Sequence, residues 1–576
     1  MNYRETYEKW LKDFRDDPDT VNELLSIADD EKEIEDRFYT ELSFGTAGLR
    51  GVIGAGTNRM NVYNVRRATA ALAQYILKQP GQAERGVAIA YDSRRYSDVF
   101  AKQAALTLCK RGVKAFLFDA LRPVPELSFT VRHLNCVAGI VITASHNPSA
   151  YNGYKVYWED GGQMPPERAD VILDLIRKTD YLSARPMDDA EARDKGLLTV
   201  IGKEVDDAYI ACVKKLSISP ELIREMGDEI KIVYTPLHGS GNVPVRRMLR
   251  EIGFSKVYVV PEQELPNPDF PTVRVPNPED PAALSMALEL QKKLDADVVF
   301  GTDPDCDRVG IAVLDGEGKV HGLTGNQIGC LLLNYILVRR GEKGTLPQNA
   351  AAVKSIVSTE MARAIAEHHG CAMVDVLTGF KFIAEKIEQF EQTGEHTFVF
   401  GFEESCGYLS GRDVRDKDGV NASMLIAETA AWYKKQGKTL YDGLMDLYEK
   451  YGYYDAKVAS FALAGKDGLL KMGHLMQALR DDPPADFAGV KVLAVRDYEA
   501  GSRKGVDGSV TPLEQPKSNV LYYELEDGGW ICVRPSGTEP KVKLYVNAVT
   551  DAADKTQALL DRLAGAAVAL LESKEN

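Results

Sequence analysis

The chain is 576 residues long, which exceeds the size at which one hydrophobic core keeps growing, so several domains are predicted. Its 44% hydrophobic and 27% charged residues are typical of a soluble globular protein, and no run of about 18 apolar residues predicts a membrane span. The formal charge of −15 and the lack of a long Lys/Arg cluster argue against nucleic-acid binding. An anionic substrate would need positive charge focused within a cleft.

The eight cysteines are scattered along the chain and form no CxxC pair. This spacing argues against a zinc site or a disulfide framework and fits a reducing cytosol. The N-terminal stretch MNYRETYEKWLKDF is charged and amphipathic, without the apolar region of a secretory signal. We therefore expect a cytoplasmic protein that has no membrane contact.

The first 43 residues have the pattern of helices with polar faces, and from about residue 60 helical and strand-like runs alternate, as in RRATAALAQYILKQ followed by GVAIAYD. The alternation restarts at IKIVYTPLHGSG and again at AAVKSIVS, which predicts βαβ units. After about residue 451 the elements become shorter. The fold class predicted is α/β, with three related α/β domains of mixed, largely parallel sheets plus a smaller C-terminal α+β domain around a central cleft. The expected boundaries are 1–205, 206–320, 321–450 and 451–576.

In each α/β unit a short apolar run stops abruptly in a polar loop. VAGIVIT leads into ASHNP, ADVVF into GTDPDCDR, and TFVF into GFEES. Ligands of open parallel sheets bind beyond the carboxyl ends of the strands. We therefore expect these three loops, together with RPSGTEP of the last unit, to converge on one cleft.

The loop GTDPDCDR places Asp303, Asp305 and Asp307 within five residues, a carboxylate set suited to a hard divalent cation. A solvated acidic turn is the plainer alternative. An EF-hand is excluded because Arg308 and Leu314 stand where that loop needs Gly and Glu. A phosphatase with an aspartyl nucleophile fits less well, since such enzymes usually have Thr or Val at the position of Asp307. Metal binding is the favoured interpretation.

Ser145 follows its strand directly, and Asn147-Pro148 predicts a turn after it. A serine needs a base or a metal to act as a nucleophile. His146 is its neighbour, but neighbouring side chains of an extended chain point apart, so we expect His146 to orient or stabilise rather than to deprotonate Ser145. A serine-containing surface turn is the alternative, and the absence of G-x-S-x-G weakens a hydrolase interpretation.

The segment RPSGTEPK carries Arg534, Ser536, Thr538 and Lys541 around a glycine, as an oxyanion cradle would. A hairpin turn with incidental charge is the alternative. In FGTAGLRG, Arg50 lies among glycines and could hold a second phosphate.

GFEES offers Glu403 and Ser405, a carboxylate and a hydroxyl suited to vicinal sugar hydroxyls, although this short motif is a weak signal by itself.

Taken in order, TASHNP, GTDPDCDR, GFEES and RPSGTEP resemble the α-D-phosphohexomutase superfamily of phosphoglucomutases and phosphomannomutases. The resemblance extends from residue 44 to residue 540, and YDSRRYS, TPLHGSG and TGFKFI are similar to further family markers. FGTAGLRG and the phenylalanine before Glu403 resemble most the branch with phosphoglucomutase-2, phosphopentomutase and related bacterial enzymes.

The resemblance implies a role for each matching residue. Ser145 would carry a phosphoryl group, and Mg²⁺ would bind Asp303, Asp305, Asp307 and a phosphoserine oxygen. The remaining roles are support of the phosphoserine by Arg50 and His146; substrate binding by Arg308, Lys381, Glu403, Ser405 and Lys417; and binding of the distant phosphate by Arg534, Ser536, Gly537 and Thr538.

Lys155, ten residues after Ser145, is our candidate general acid/base, because a desolvated lysine between cations can lose its proton. A strand lysine that merely reaches solvent is the alternative, and Lys417 is a second, weaker candidate. Some relatives have a histidine shortly after the Glu-x-Ser element. Here Cys406 follows Ser405, so an imidazole from this loop is in doubt and Cys406 is expected to be a packed thiol.

The implied activity is the reversible conversion of glucose 1-phosphate and glucose 6-phosphate through a phosphoserine enzyme, with glucose 1,6-bisphosphate as intermediate and activator. Phosphopentomutase is the strongest alternative, and phosphomannomutase and a synthase of the bisphosphate are others. A catalytically silent sugar-phosphate sensor is the alternative from a different class. The expected partners are small sugar phosphates only, and the expected state is a monomer or homodimer.

Overall fold

The structure, a computed structural model, describes residues 2–45, 48–463, 468–536 and 541–575. Three short helices come first: α1 (Tyr3–Asp13), α2 (Pro18–Ser26) and α3 (Glu31–Phe38). Asn2 and Glu5 form a capping box on α1, and Asp17 caps α2 with Pro18 at its first position. Tyr7, Trp10, Phe14, Leu24, Ile34 and Phe38 give these helices an aromatic-rich core of their own.

The first sheet has seven strands in the order β1-β2-β6-β5-β3-β4-β7. Strands β5, β3, β4 and β7 are parallel, whereas β1, β2 and β6 pair in antiparallel fashion. Its elements are β1 (Phe44–Gly45), β2 (Gly48–Val52), α4 (Val62–Leu77), α5 (Gln82–Arg85), β3 (Val87–Tyr91), α6 (Ser97–Lys110), β4 (Ala115–Phe118), α7 (Val124–His133), β5 (Ala138–Ile142), β6 (Tyr151–Trp158), α8 (Pro166–Lys178), α9 (Asp189–Asp194) and β7 (Leu198–Ile201). Strand β5 is buried at every position, as expected for a central strand covered on both faces.

The second sheet has the order β12-β11-β10-β8-β9, with β10, β8 and β9 parallel. Its elements are α10 (Lys203–Lys214), α11 (Pro220–Met226), β8 (Lys231–Thr235), α12 (Asn242–Ile252), β9 (Lys256–Val259), α13 (Pro261–Glu264), α14 (Ser285–Leu294), β10 (Val298–Thr302), β11 (Val309–Leu314) and β12 (Val320–Leu323).

The third sheet has the order β14-β13-β15-β16, with β14, β13 and β15 parallel. Its elements are α15 (Gly325–Glu342), β13 (Ala350–Ser355), α16 (Met361–His368), β14 (Ala372–Val376), α17 (Phe380–Thr393), β15 (Thr397–Glu403), β16 (Gly407–Leu409), α18 (Gly419–Lys435) and α19 (Leu440–Tyr451). One hydrophobic core runs through the second and third units without interruption, from Ile232 and Phe300 to Val353 and Phe400.

The last unit is an antiparallel sheet that pairs β17-β24-β23-β22-β19-β20-β21, with β18 beside β19. Its elements are β17 (Tyr453–Ala462), α20 (Gly468–Asp481), β18 (Asp486–Phe487), β19 (Val490–Asp497), β20 (Ser502–Gly505), β21 (Val510–Pro512), β22 (Leu521–Leu525), β23 (Trp530–Pro535), β24 (Lys541–Thr550) and α21 (Ala553–Glu575). The predicted fold class is confirmed: three α/β units with mixed sheets precede an α+β unit. The four residue boundaries given above stay predictions. Among the described residues, no helix is long and apolar enough to cross a membrane.

The three α/β sheets share one local design that positions the candidate site. In each, a buried strand of the parallel part (β5, β10 or β15) returns through a short loop into an antiparallel neighbour (β6, β11 or β16). Each loop contains a non-glycine residue with left-handed φ: Ser145 at 51°, Cys306 at 54° and Cys406 at 59°. This conformation is uncommon for residues other than glycine and asparagine, and it turns the chain sharply at the end of the strand.

Candidate active site

Ser145 lies at the sharp turn after β5 and is almost fully buried, with 4% of its surface exposed. Its backbone N–H donates to Thr143 Oγ1 at 2.8 Å, and its hydroxyl donates to Asp303 Oδ2 at 2.8 Å. The loop that contains Ser145 in the first domain (the serine loop) therefore contacts the loop that contains Asp303, Asp305 and Asp307 in the second (the acidic loop), as the sequence predicts.

Arg94 binds the backbone of the serine loop through its guanidinium group. The sequence analysis did not identify it as a site residue. Its guanidinium donates to the carbonyl oxygens of Asn147 at 2.6 Å, Pro148 at 2.9 Å and Tyr151 at 3.1 Å, and also to that of Ser145. Buried donors with this many partners fix a backbone that is otherwise costly to bend. The motif YDSRRYS contains this arginine, but only the fold gives its targets.

The expectation that His146 points away from Ser145 is wrong. His146 Nδ1 lies 3.1 Å from Ser145 Oγ. The reasoning assumed an extended backbone, whereas the left-handed φ of Ser145 brings the two side chains together. Burial, helped by the cations of Arg308 and Arg50, lowers the pKa of His146 to about 3, so its imidazole is neutral near pH 7.

Asp303, Asp305 and Asp307 form a cluster whose carboxylate oxygens lie within 4.8 Å of one another, and all three are buried. Within the described part of the chain, nothing donates a hydrogen bond to Asp305 Oδ1 or Asp307 Oδ1. Three buried carboxylates, two of them with an oxygen that accepts no hydrogen bond, are costly unless a cation joins them. The residues therefore fit an oxygen-ligated divalent metal.

The charges within the triad are divided unequally. Burial and the two neighbouring carboxylates raise the pKa of Asp303 well above its usual range. Burial opposes ionisation of Asp305 as well, but the adjacent Lys155 cation holds the pKa of Asp305 below its usual value. Metal binding requires deprotonated ligands, so a cation at this site would act against the raised pKa of Asp303 and favour its carboxylate form.

Two lysines accompany the triad. Lys155, on β6, places Nζ 2.9 Å from Asp305 Oδ2. Lys417 places Nζ 3.1 Å from Asp307 Oδ2 and 2.9 Å from Asp416 Oδ1. Burial would lower the pKa of Lys417, but Asp307 and Asp416 raise it above its usual value. Lys417 is therefore a fixed cation.

Asp416 is a further residue that the sequence analysis missed. Its Oδ2 accepts hydrogen bonds from the Tyr157 hydroxyl at 2.7 Å and from Gln163 Nε2 at 3.0 Å. Both donors come from the first domain, so Asp416 fixes Lys417 relative to the serine loop. The segment RDKDG gave no sign of this, because the donors lie about 250 residues away.

The loop GFEES of the third domain, called the sugar loop for its predicted role, lies beside the acidic loop. Glu403 Oε1 accepts from the backbone N–H of Gly379 at 2.7 Å. Arg308 donates to the carbonyl oxygen of Ser405 at 3.1 Å and pairs with the carboxylate of Glu279, a residue not recognised from sequence. Burial raises the pKa of the Cys406 thiol to about 12, as expected for a packed rather than reactive cysteine.

The fourth domain contributes cations on β23 and β24. Arg534 and Lys543 stand directly opposite each other in the ladder, and Lys543 was not selected from sequence. The backbone N–H of Ser536 donates to the carbonyl oxygen of Lys541 at 2.8 Å, and the predicted Gly537 and Thr538 lie outside the described residues.

The other two predicted cations are Lys381, near the fourth domain, and Arg50, near the serine loop. Lys381, on α17, lies 5.0 Å from the ring centroid of Phe382 and close enough to Arg534 that this cation adds to burial in lowering the pKa of Lys381. Arg50, on β2, reaches Asn147 Oδ1 of the serine loop at 3.5 Å. Contacts therefore connect the serine loop with the acidic loop and the acidic loop with the loop of Ser405, and Lys381 lies near Arg534 of the fourth domain.

Models of four protein-family domains match the chain in order. They are phosphoglucomutase/phosphomannomutase alpha/beta/alpha domain I at residues 41–183, domain II at 207–316, domain III at 324–451 and the C-terminal domain at 477–564. The chain belongs to the phosphoglucomutase/phosphomannomutase family. Like that family, it is an enzyme of the isomerase class that works by phosphoryl transfer, as the resemblance predicted.

Curated members of the family match over nearly the whole chain. The phosphoglucomutase of Staphylococcus epidermidis is 37% identical over 522 residues, covering 90% of this chain and 93% of that protein. A phosphoglucomutase of Staphylococcus aureus is 36% identical over 563 residues, covering 96% and 98%.

Solved structures share the fold at lower identity. A phosphoglucomutase/phosphomannomutase family protein from Burkholderia thailandensis gives a TM-score of 0.65 at 19% identity, with 92% of this chain and 97% of that chain covered. The open form of parafusin, a phosphoglucomutase from Paramecium, gives 0.67 at 19% identity, with 92% and 95% covered.

Proposed function

We propose that this family member is a phosphoglucomutase that interconverts glucose 1-phosphate and glucose 6-phosphate through a phosphoserine at Ser145 and glucose 1,6-bisphosphate. The observation that carries the proposal is the contact of the Ser145 hydroxyl with Asp303 inside the buried triad. The identity of 36–37% to curated phosphoglucomutases supports the choice of glucose.

Asp303, Asp305 and Asp307 would hold Mg²⁺, which has the oxygen preference that this donor set offers. When bound, the metal would neutralise charge on the phosphoryl group during transfer. Arg94 keeps the Ser145 backbone in its left-handed turn, and Arg50 and neutral His146 line the loop, so the nucleophile is fixed before substrate binds.

In the forward step a hydroxyl of the sugar phosphate attacks the phosphoserine. A new P–O bond forms to the sugar, the bond to Ser145 Oγ breaks, and the sugar bisphosphate then donates its other phosphoryl group back to Ser145. We assign the transfer of the hydroxyl proton to Lys155, the lysine on the strand that follows the serine loop. Lys417, held cationic by Asp307 and Asp416, would bind substrate charge instead.

The distant part of the substrate would be held from the third and fourth domains. Glu403 and Ser405 would bind sugar hydroxyls, and Arg308 and Lys381 would bind the substrate beside them. Arg534 and Ser536, with Gly537 and Thr538 of the same motif, would bind the phosphate that is not reacting. The reacting and distant phosphates exchange places when the intermediate turns over.

The proposal is tested by ³¹P NMR of the purified protein with Mg²⁺ and a trace of glucose 1,6-bisphosphate. Glucose 1-phosphate, ribose 1-phosphate and mannose 1-phosphate are supplied separately. Fastest formation of glucose 6-phosphate supports the proposal, whereas fastest turnover of ribose or mannose phosphate makes the protein a phosphopentomutase or phosphomannomutase. Net accumulation of the bisphosphate indicates a synthase. No conversion by folded, metal-loaded protein would favour the sensor.

We further propose that the enzyme acts in the cytoplasm, where its eight cysteines, all free in the structure, stay reduced. Its partners would be small sugar phosphates, and the state would be a monomer or homodimer.

A further inference from the structure

Glu404 stands between the two residues assigned to sugar binding, yet the reaction described above does not use it. The side chain is half-buried in the cleft. Its Oε2 accepts a hydrogen bond from the Ser355 hydroxyl at 2.9 Å, and that hydroxyl lies 2.9 Å from the Ser358 hydroxyl. Ser355 is the last residue of β13, so Glu404 is attached to the rigid sheet of the third domain.

The chain that follows Ser355 packs against the fourth domain. Ile356 and Val357 form a hydrophobic cluster with Cys532 and Tyr545. Cys532 and Tyr545 are directly paired across β23 and β24, so their side chains share one face of that sheet. This face of the fourth domain therefore meets the carboxyl end of β13.

Arg534 and Lys543 are the next pair on the same face, because side chains two residues apart along a strand point the same way. They consequently face the third domain at the position of Glu404. The electrostatics agree with this placement: the Glu404 carboxylate acts to raise the pKa of both Lys543 and Tyr545, although burial and Arg534 lower that of Lys543 overall.

Two further acidic groups in the described part of the chain act on Glu404. Glu403 is its neighbour on β15, and Glu279 faces it from the second domain beside Arg308. Burial and the Glu403 carboxylate raise the pKa of Glu404 to about 7, whereas the bond from Ser355 lowers it. At about pH 8 the free protein therefore holds Glu404 mainly as a carboxylate.

We propose that Glu404 balances the Arg534–Lys543 pair while the cleft is free and takes up one proton when the phosphate of a sugar phosphate binds to that pair. The inference rests on the phosphate-binding role proposed for Arg534. A phosphate dianion would bring two negative charges next to a carboxylate, and like charges favour the protonated acid. The proton comes from solvent, converts the carboxylate to a carboxylic acid, and gives Glu404 a donor that a phosphate oxygen can accept.

The direction of the pH dependence follows from linkage. Proton uptake on binding means that affinity for the sugar phosphate falls as pH rises above the pKa of free Glu404, by up to about tenfold per pH unit. The substrate itself is already a dianion at about pH 8, since the second pKa of a phosphate monoester is near 6.

Proton uptake is measured by isothermal titration calorimetry. Glucose 6-phosphate is added to the full chain carrying Ser145→Ala, with Mg²⁺, at about pH 8 in buffers of different ionisation enthalpy. The slope of observed enthalpy against buffer enthalpy gives the protons taken up, and we expect between about 0.5 and 1. Adding Glu404→Gln should reduce the slope to near zero and flatten the pH dependence of Kd. Adding Glu367→Gln, at an exposed position of the same domain, should change neither.

A second variant covers the case in which Glu404→Gln does not fold. Ser355→Ala keeps the carboxylate but removes the bond that lowers its pKa, so the pH range of proton uptake should move upward. Binding without proton uptake, or uptake that survives Glu404→Gln, would overturn the inference while leaving the proposed function intact. If Ser145→Ala protein binds no sugar phosphate at all, the proposed function itself is contradicted.

Discussion

The two ends of the cleft use charge in opposite ways. At the end with Ser145, three buried carboxylates are each held in place, and Lys155 and Lys417 pair with two of them at 2.9 and 3.1 Å. At the other end the cations crowd one another: burial and Arg534 lower the pKa of both Lys381 and Lys543. The first end is built for a metal and for chemistry on a fixed atom, and the second for an anion that must bind and leave.

The largest effect is expected from removing the nucleophile at the acidic end. Ser145→Ala should lower kcat by at least about 10⁴-fold, because it removes the hydroxyl that contacts the acidic triad through Asp303. Ser149→Ala, in the same loop, is the matched control and should remain active. Steady-state kinetics with glucose 1-phosphate measures both, and substantial turnover by Ser145→Ala would mean that the nucleophile is misassigned.

The next largest effect is expected from changing the predicted metal ligands at the end of the cleft with Ser145. Asp307→Asn should reduce kcat by about 10²–10³-fold, and a chelator should abolish activity reversibly. In metal-free buffer the same variant should lower the Tm by a few degrees, because it removes one carboxylate partner of the buried Lys417 cation. Thermal unfolding with and without Mg²⁺ separates the two effects, and a Tm increase by Mg²⁺ that is unchanged in the variant would exclude Asp307 as a ligand.

Substitutions at the cationic end of the cleft should weaken substrate binding more than they slow phosphoryl transfer. Arg534→Gln should raise KM for glucose 1-phosphate by about 10–100-fold, the loss of one or two charge-assisted hydrogen bonds, with a smaller change in kcat. Arg534→Lys should recover part of the loss, because the charge remains without the forked geometry. Equal KM values for wild type and Arg534→Gln would contradict a phosphate site at this end.

The smallest effect concerns His146, whose pKa is lowered to about 3 by burial and by nearby cations. An unfolded histidine titrates near 6.5, so below that pH the unfolded state binds a proton that the folded state does not, and the folded state loses stability. From pH 7 to about pH 5.5, wild type should lose about 1.3 kcal/mol more unfolding free energy than His146→Gln. Urea unfolding at both pH values measures this, and equal losses would show that His146 is charged in the folded protein.

The sequence was informative where a strand is followed by a polar loop. The end of an apolar run marks the carboxyl end of a strand, which is where open parallel sheets bind ligands. The serine, acidic and sugar loops were therefore predicted together. Residues that act on those loops from elsewhere were missed, because Arg94, Asp416 and Glu279 acquire their roles only through partners distant in the chain. The direction of the His146 side chain was misjudged for a different reason: a left-handed φ at a serine has no signature in sequence.

The main chain also joins two of the catalytic loops. Arg308 and Gly407 form a β-bridge, and the N–H of Val309 donates to the carbonyl oxygen of Cys406 at 3.0 Å, so main-chain hydrogen bonds join the acidic loop to the sugar loop above a common core. The fourth domain contacts the third through a much smaller apolar cluster. We therefore expect any adjustment of the span between the two proposed phosphate positions to occur mainly at the fourth domain. On this arrangement, discrimination between a six-carbon and a five-carbon sugar would depend on the position of that domain as well as on the shape of the sugar loop.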